Sequence, residues 1–126
     1  MKPPARKPTD AELAILRVLW SRGPSTVRQV AETLGPDTGY TTALKMLQIM
    51  TEKGLVRRDE SQRTHVYEPS STEDQTQRRL VVDLLNRAFG GSAAKLVMQA
   101  LASSRTSPGE LAEIKKLLDK KRGGPR

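Results

Sequence analysis

The sequence contains no cysteine among its 126 residues and only one histidine. Disulfides, cysteine-ligated zinc fingers and thiol catalysis are therefore excluded. The chain also lacks a glycine-rich phosphate loop. Because an enzyme needs a nucleophile with a base, a cluster of metal ligands or such a loop, these absences argue against an enzyme. We expect no cofactor and no metal site.

Long hydrophobic runs are also absent. No stretch approaches the roughly 18 apolar residues that a membrane span needs. The N-terminal segment is basic, but it lacks the apolar region of a signal peptide; it reads MKPPARKPTD. We therefore expect a cytoplasmic protein that does not insert into a membrane.

Aromatic residues make up only 3% of the chain. The core must therefore be built mostly from aliphatic side chains and methionine, which is typical of helical packing. At 126 residues the chain suits one compact domain or two small ones. A second subunit can complete a core of this size.

The charge balance is strongly basic, with 22 Lys and Arg against 14 Asp and Glu, a net charge of +8 and a pI near 10.2. Such an excess is the footprint of phosphate binding, because cationic side chains neutralise a nucleic-acid backbone and release counterions. A soluble protein that is basic for other reasons has the same totals. Charge alone therefore does not decide the partner.

The first part of the chain has the pattern of a helix-turn-helix. Thr9 and Glu12 have the spacing of a capping box at the start of a first helix. Ser25 is expected to be the N-cap of a second helix, and a break rich in Gly and Pro separates this helix from a third. Residues 1–8 are predicted to be a flexible basic arm. The predicted helices cover 9–22, 25–34 and, from residue 38 or 40, the segment that ends at Lys53.

A small basic hairpin follows the third helix. Gly54 stops the helix where a left-handed residue is wanted, and two extended runs, 55–60 and 64–69, are joined by the polar turn Ser61-Gln62-Arg63. This is the layout of a winged helix-turn-helix, which places a helix in the DNA major groove and a hairpin on the flanking backbone. His65 is predicted to be a structural residue on the second strand rather than a ligand or a switch.

The polar side of the third helix predicts base readout. Thr can contact bases through its methyl and hydroxyl groups, and Lys and Gln can donate to purines. A merely solvated face is the alternative, but paired threonines are poor helix formers that such a face does not need. The residues expected to read bases are Tyr40, Thr41, Thr42, Lys45 and Gln48. Those expected to contact the DNA backbone are Ser25, Thr26, Arg28, Arg57, Arg58 and Arg63.

After Pro69 the hydrophobic period is helical throughout. Three short helices are expected, over 71–89, over 92–102 and from Ser107 onward. Helices of this size bury little alone, so they either fold back on the winged domain or pair with a second subunit. Since helix-turn-helix proteins usually read two half-sites, we expect a homodimer. The predicted interface residues are Leu80, Val81, Leu84, Leu85, Leu96, Val97, Leu111, Ile114, Leu117 and Leu118.

The predicted fold class is mainly α with a small β wing. A winged helix-turn-helix over 9–69 is followed by a three-helix dimerisation region over 70–122 and a flexible tail over 123–126. The sequence predicts two readings of this fold. One is a homodimer that reads two DNA half-sites, which the resemblance described next makes a repressor of palindromic operator sites, and the other is a winged-helix module that binds protein or RNA without operator specificity.

Four segments, in this order, resemble the penicillinase-repressor family that includes BlaI, MecI and CopY. They are PTDAELAILRVLW, YTTALKMLQIMTEKGLVRR, VYEP, and a GG break followed by a late S-x-x-E-L helix. The resemblance implies a dimeric winged-helix repressor that binds operator palindromes and pairs through interlocked C-terminal helices. It assigns residues 40–48 to base readout, 57–63 to the backbone and 80–118 to pairing.

The resemblance also has implications for derepression. Induction of the β-lactam repressors is associated with cleavage of an Asn-Phe bond in the second C-terminal helix, and this chain has Gln99-Ala100 at that place. A membrane sensor with a metalloprotease domain is implied as a partner by resemblance only. The copper-responsive branch carries C-terminal cysteines, so the absence of cysteine excludes copper sensing of that kind.

Overall fold

The computed structural model describes residues 7–123. Most of the predicted basic arm and of the predicted tail lies outside these residues. Within the described range the fold is mainly helical with a two-stranded antiparallel wing, so the predicted fold class is confirmed. The elements are α1 (Asp10–Arg22), α2 (Val27–Leu34), α3 (Tyr40–Lys53), β1 (Val56–Asp59), β2 (Val66–Pro69), α4 (Glu73–Ala88), α5 (Ala93–Ser103) and α6 (Pro108–Arg122).

The described chain forms two compact units that divide after Val81, inside α4. The boundary expected from the sequence lay after Pro69, where the hydrophobic period changes. The start of α4 instead packs with the winged unit, because Thr76 is buried there and the indole Nε1 of Trp20 donates a hydrogen bond of 3.1 Å to the carbonyl of Ser71. The first unit is thus the winged domain together with the first part of α4.

The core of the first unit is aliphatic, as the scarcity of aromatic residues predicts. Helices α1, α2 and α3 contribute side chains at spacings of three and four, so that each helix turns one stripe inward. Tyr67 is the one aromatic side chain among the fully buried members. The largest fully buried residues are Ile15, Leu16, Leu19, Val30, Leu47, Met50, Val56 and Tyr67.

The N-termini of the first two helices are both closed by capping boxes. The predicted box of α1 is confirmed, since the Thr9 hydroxyl accepts from the Glu12 N–H at 3.2 Å and the Glu12 carboxylate accepts from the Thr9 N–H at 2.9 Å. In α2 the N-cap is Thr26, which makes the reciprocal pair with Gln29. The prediction that Ser25 caps α2 is therefore wrong.

Ser25 has a different role, which explains the correction. Its backbone forms an isolated antiparallel bridge to Tyr67, with hydrogen bonds of 3.0 and 2.8 Å, which ties the residue to β2 of the two-stranded wing. Its hydroxyl donates to the carbonyl of Gly23 at 2.8 Å, and the residue is fully buried. Thr26, one position later, has the T-x-x-Q spacing that satisfies two free N–H groups at once.

The wing is shorter than the sequence predicts. Val56 pairs with Pro69 at one end of the ladder and Asp59 pairs with Val66 at the other. Residues 60–65 therefore form a loop longer than the expected three-residue turn, and His65 lies in this loop rather than on a strand. The Asp59 carboxylate accepts the Ser61 backbone N–H at 2.9 Å where the loop begins, and this bond lowers the pKa of Asp59.

Helix α3 is followed directly by a C-cap residue whose backbone requires glycine. Gly54 has φ 82° and ψ 14°, in the left-handed region where a side chain is strained. The next residue, Leu55, donates its N–H to the Met50 carbonyl at 2.9 Å, which closes the helix. The chain can therefore pass from α3 into β1 without a connecting loop.

In the second unit, described over 82–123, the starts of α5 and α6 are set by capping residues close in sequence. Ser92 caps α5, and Ser107 with Glu110 forms the predicted capping box of α6, with Pro108 in its first turn. Lys115 and Asp119 form an ion pair of 3.4 Å one turn apart on α6. No side chain in this described segment is buried. The apolar faces of these helices are therefore left uncovered within one chain.

Candidate nucleic-acid interface

Helix α3 has one buried side and one polar, exposed side. Ala43, Leu47 and Met50 are completely buried and hold the helix on the core. On the opposite side, Thr41, Lys45 and Gln48 are exposed and fall on one line, because they are four and three residues apart. The predicted readout residues Tyr40, Thr41, Thr42, Lys45 and Gln48 are all exposed.

Ile49 belongs to the same exposed surface, and it was not among the predicted contacts. Its side chain is 38% exposed and lies four residues after Lys45. An apolar side chain at this place can contact a thymine methyl group. The sequence could have indicated this contact, because Ile49 is an apolar residue on a helix face that is otherwise polar.

The starts of α2 and α3 are joined by a cation–π contact. The guanidinium carbon of Arg28 lies 6.0 Å from the centroid of the Tyr40 ring, which is within reach of such an interaction. Tyr40 is the first residue of α3, and it is 51% exposed. Arg28 therefore holds the phenol ring at the end of the helix where base contacts are expected.

The three residues at the start of α2 that were predicted to bind the DNA backbone differ in how far their side chains are exposed. Arg28 is exposed, and Thr26 is half-buried with its hydroxyl accepting the Gln29 N–H. Ser25 is fully buried, and its hydroxyl donates to the Gly23 carbonyl. The predicted backbone contact of Ser25 is therefore wrong for this side chain.

The three arginines of the wing differ in whether they are paired with an acidic side chain. Arg57 forms an ion pair of 3.2 Å with Glu68, its partner across the ladder. Arg58 forms an ion pair with Glu60, and hydrogen bonding to Tyr67 and then to Glu60 raises the pKa of Arg58. Arg63 is exposed and has no acidic partner among the described residues. Of the three, Arg63 is the most available to a phosphate.

A cavity of about 560 Å³ lies between the start of α2, the start of α3 and the wing loop. It brings together Arg28 and Arg63, which the sequence separates, and it adds His65 and Thr64, which were not predicted as site residues. Tyr40 belongs both to the cavity and to the exposed face of α3. The residues that line the cavity are Thr26, Val27, Arg28, Tyr40, Leu44, Arg63, Thr64, His65 and Tyr67.

The far end of α3 is fixed by a salt bridge that the sequence pattern did not indicate. The Lys53 ammonium lies 2.7 Å from Oε2 of Glu12, whose side chain is nearly buried. Burial alone would raise the pKa of the Glu12 carboxyl. The hydrogen bonds from Lys53 and from the Thr9 N–H, with the charge of Lys53, outweigh burial and leave this pKa below its usual value.

The residues predicted to form the dimer interface are apolar and largely uncovered in the single chain. Four of them are half-buried, namely Leu80, Leu85, Leu96 and Ile114. The other six are exposed: Val81, Leu84, Val97, Leu111, Leu117 and Leu118. Val82, Met98 and Leu101 are exposed as well and were not predicted.

Gln99 and Ala100, the predicted cleavage region, are exposed and lie inside α5. The Ala100 carbonyl accepts a hydrogen bond of 2.7 Å from the Ser104 hydroxyl.

Among the described residues, no helix has the length and apolar character that crossing a membrane requires. The same residues contain no group of three or more His, Cys, Asp or Glu side chains that could hold a metal ion.

Comparison with known proteins identifies relatives over most of the chain. The chain is 42% identical over 93 residues to the transcriptional regulator BlaI of Mycobacterium tuberculosis, covering 70% of this chain and 67% of that one. It is 25% identical over 113 residues to the penicillinase repressor of Bacillus licheniformis, covering 88% of each. A MarR family protein from Bacillus stearothermophilus is similar in structure, with 18% identity, a TM-score of 0.47 and coverage of 91% of this chain and 78% of that one.

The sequence pattern that defines a family described as penicillinase repressor matches residues 8–120. This range contains α1 to α5, the hairpin and its loop, and α6 except for its last two residues. The resemblance inferred from the four sequence segments is thereby confirmed. The chain belongs to the penicillinase repressor family.

Proposed function

We propose that the chain is a transcriptional repressor that binds double-stranded operator DNA as a homodimer. The observation that carries this proposal is the exposed line of Thr41, Lys45 and Gln48 on α3, flanked by Arg28 and Arg63. In a winged helix-turn-helix this face enters the major groove, and the flanking cations contact the backbone. Membership of the family and the names of the relatives support a regulator rather than an enzyme.

Base readout is assigned to the exposed side of α3. Lys45 and Gln48 would donate to purine edges, and Thr41 and Thr42 would contact bases through their methyl and hydroxyl groups. Tyr40 would lie at the end of the helix, where Arg28 holds its ring. This division leaves sequence choice to α3 and leaves orientation on the duplex to α2 and the wing.

The backbone contacts are assigned to Thr26, Arg28 and Arg63, with Arg57 and Arg58 available once phosphates compete with their glutamate partners. Ser25 is omitted because it is buried. These contacts are salt-dependent and independent of sequence, since they exchange counterions for lysine and arginine. They contribute affinity and fix the register of α3 in the groove.

Homodimerisation is supported by the uncovered apolar side chains of the C-terminal helices. Leu117 and Leu118 are 57% and 56% exposed, and no described residue of α5 or α6 is buried. Large exposed apolar patches mark interaction sites, and a second copy of the chain would cover this one. A twofold dimer reads a palindrome, because each protomer meets the same half-site sequence.

Repression would follow from occupancy of promoter DNA, and derepression from any event that separates the protomers. Two tethered half-site contacts bind far more tightly than one, by roughly 10² to 10⁴. Cleavage near Gln99 and Ala100 would cut α5 and remove pairing surface. By family resemblance a membrane sensor-protease is the proposed agent, and the repressor would act with its DNA in the cytoplasm.

The test is fluorescence anisotropy of labelled duplexes over a salt series. One duplex carries the promoter upstream of the protein's own gene, and the other carries the same bases scrambled. We expect a preference of roughly a thousandfold or more, with two protomers per duplex. Equal binding to both duplexes that collapses with salt would contradict the proposal and favour an RNA- or protein-binding module.

A further inference from the structure

The cavity between α2, α3 and the wing loop is lined by basic side chains and by no acidic ones. Arg28 and Arg63 line it, His65 lines it beside them, and none of its lining residues carries a carboxylate. Thr64 and Tyr40 add hydroxyl groups that can donate hydrogen bonds. Guanidinium groups and hydroxyls around an open cavity are the donor set that binds a phosphate group.

The acidic residues of the wing are occupied elsewhere. Glu68 is paired with Arg57 across the ladder, and Glu60 is paired with Arg58. The Asp59 carboxylate accepts the Ser61 N–H. The charges of Glu60 and Glu68 are therefore balanced by their arginine partners, and none of the three carboxylates lines the cavity.

His65 is the only histidine in the chain. It is exposed in the loop just before β2, and the groups that line the cavity with it are Arg28 from α2, Tyr40 from α3, Arg63 from the loop and Tyr67 from β2. Histidine is the side chain that ordinarily changes charge between pH 5 and 8, and a phosphate beside it favours the charged form.

We propose that this cavity is a phosphate subsite in which His65 is a third, proton-dependent cation, so that the affinity for DNA rises as the pH falls. The occupant is a phosphodiester of the duplex, because Tyr40 continues the cavity onto the exposed face of α3. The inference rests on the proposed DNA-binding function, and it adds a residue and a pH response to that function.

The experiment measures binding of the full chain to operator duplex at pH 7.5 and pH 5.5, each over a salt series. We expect affinity at the lower pH to be roughly threefold to fivefold higher for each protomer, the size of one exposed ion pair, and so roughly tenfold to twenty-fivefold higher for the dimer. The slope of log affinity against log salt should steepen by about 0.9 for each protomer, the increment of one more phosphate contact, and so by about 1.8 for the dimer. A merely structural histidine would leave the slope unchanged.

Two variants and a control isolate His65. His65→Gln should lose the pH response and keep the shallower slope at both pH values. His65→Lys should bind at pH 7.5 with the affinity and slope that the wild type shows at pH 5.5. Arg105→Gln removes an exposed positive charge in the second unit, and it should keep the full pH response.

The failure of this inference differs from the failure of the proposed function. A wild type that prefers operator DNA with the same affinity and slope at both pH values would overturn the phosphate role of His65, as would a pH response retained in His65→Gln. Equal binding to operator and scrambled duplexes would overturn operator recognition instead. In that case a shift of the histidine NMR signal with inorganic phosphate would support the subsite, and no shift would overturn it.

Discussion

The ammonium of Lys53, the last residue of α3, lies 2.7 Å from the carboxylate of Glu12 in the first turn of α1. The two residues are 41 positions apart. The Glu12 carboxylate also accepts the Thr9 N–H, so one side chain both caps α1 and holds the end of α3. The orientation of the proposed recognition helix is therefore fixed from the helix that begins the winged unit.

Replacement of Lys53 by methionine should destabilise the winged unit. The nearly buried Glu12 carboxylate would lose its cationic partner, at a cost of about 1–3 kcal/mol in the free energy of unfolding. Urea denaturation followed by circular dichroism measures the change. In a double-mutant cycle, Glu12→Gln with Lys53→Met should cost less than the sum of the single variants. Strict additivity would show that the two side chains are not coupled.

The stability of the winged unit should depend on acid through Glu12. Its pKa lies below the ordinary glutamate value of 4.5, so the folded state binds this proton less readily than the unfolded state. The contribution is then complete above about pH 4.5 and is lost as the pH falls through the lowered value. Thermal unfolding between pH 3 and 6, in steps of about half a pH unit, should show a smaller slope in Glu12→Gln than in the wild type.

The glutamates of the wing should restrain non-specific DNA binding. Glu68→Gln frees Arg57, and Glu60→Gln frees Arg58, so each variant should bind scrambled duplex more tightly and with a steeper salt dependence, by about one contact. Asp119→Asn breaks a similar ion pair on α6, and it serves as the control for the change in net charge. Equal gains in all three variants would show that only net charge matters.

Lys45 and Arg63 should separate base readout from backbone contact. Lys45→Ala should weaken operator binding by about 1–3 kcal/mol and relax the preference for operator over scrambled duplex. Arg63→Ala should weaken binding to both duplexes alike and lower the salt slope by about 1 for each protomer of the dimer. Competition anisotropy over a salt series measures both quantities. The assignment would be reversed if Arg63→Ala altered the preference and Lys45→Ala did not.

Leu84→Asp should separate the proposed dimer. The residue is 49% exposed on α4, and a charge in an apolar contact leaves an unpaired carboxylate when the contact closes. Analytical ultracentrifugation should then give monomer, and operator affinity should fall by roughly 10² or more. Asn86→Asp adds the same charge at an exposed polar position of α4 and should remain dimeric. A dimeric Leu84→Asp that binds operator normally would contradict the interface.

Local patterns predicted the elements, because each depends on neighbours in sequence. The helical period, the capping spacings at Thr9 and Ser107 and the stop at Gly54 all act within a few residues, and the structure has each of them. The exception is Ser25, where two adjacent hydroxyl residues could each cap α2. The bridge to Tyr67 decided between them, and no local pattern contains that residue.

Candidate site residues were predicted element by element, and which of them lie together was not predicted. The exposed positions of α3 follow from helical spacing, so they could be read from the sequence. The pairing of Glu12 with Lys53 and the grouping of Arg28 with His65 depend on how distant segments pack. The prediction that His65 lies on a strand was also wrong. The pairing between β1 and β2 ends at Asp59 and Val66, so residues 60–65 form a loop.

The hydrogen bond from Trp20 to the Ser71 carbonyl gives the molecule an optical property. Trp20 is the only tryptophan, and its indole contacts the chain immediately before α4 begins. Any event that draws this segment away from α1 breaks the bond and changes the surroundings of the sole indole. The unlabelled protein therefore carries a built-in fluorophore whose emission reports whether the segment before α4 stays packed on α1 within the first unit.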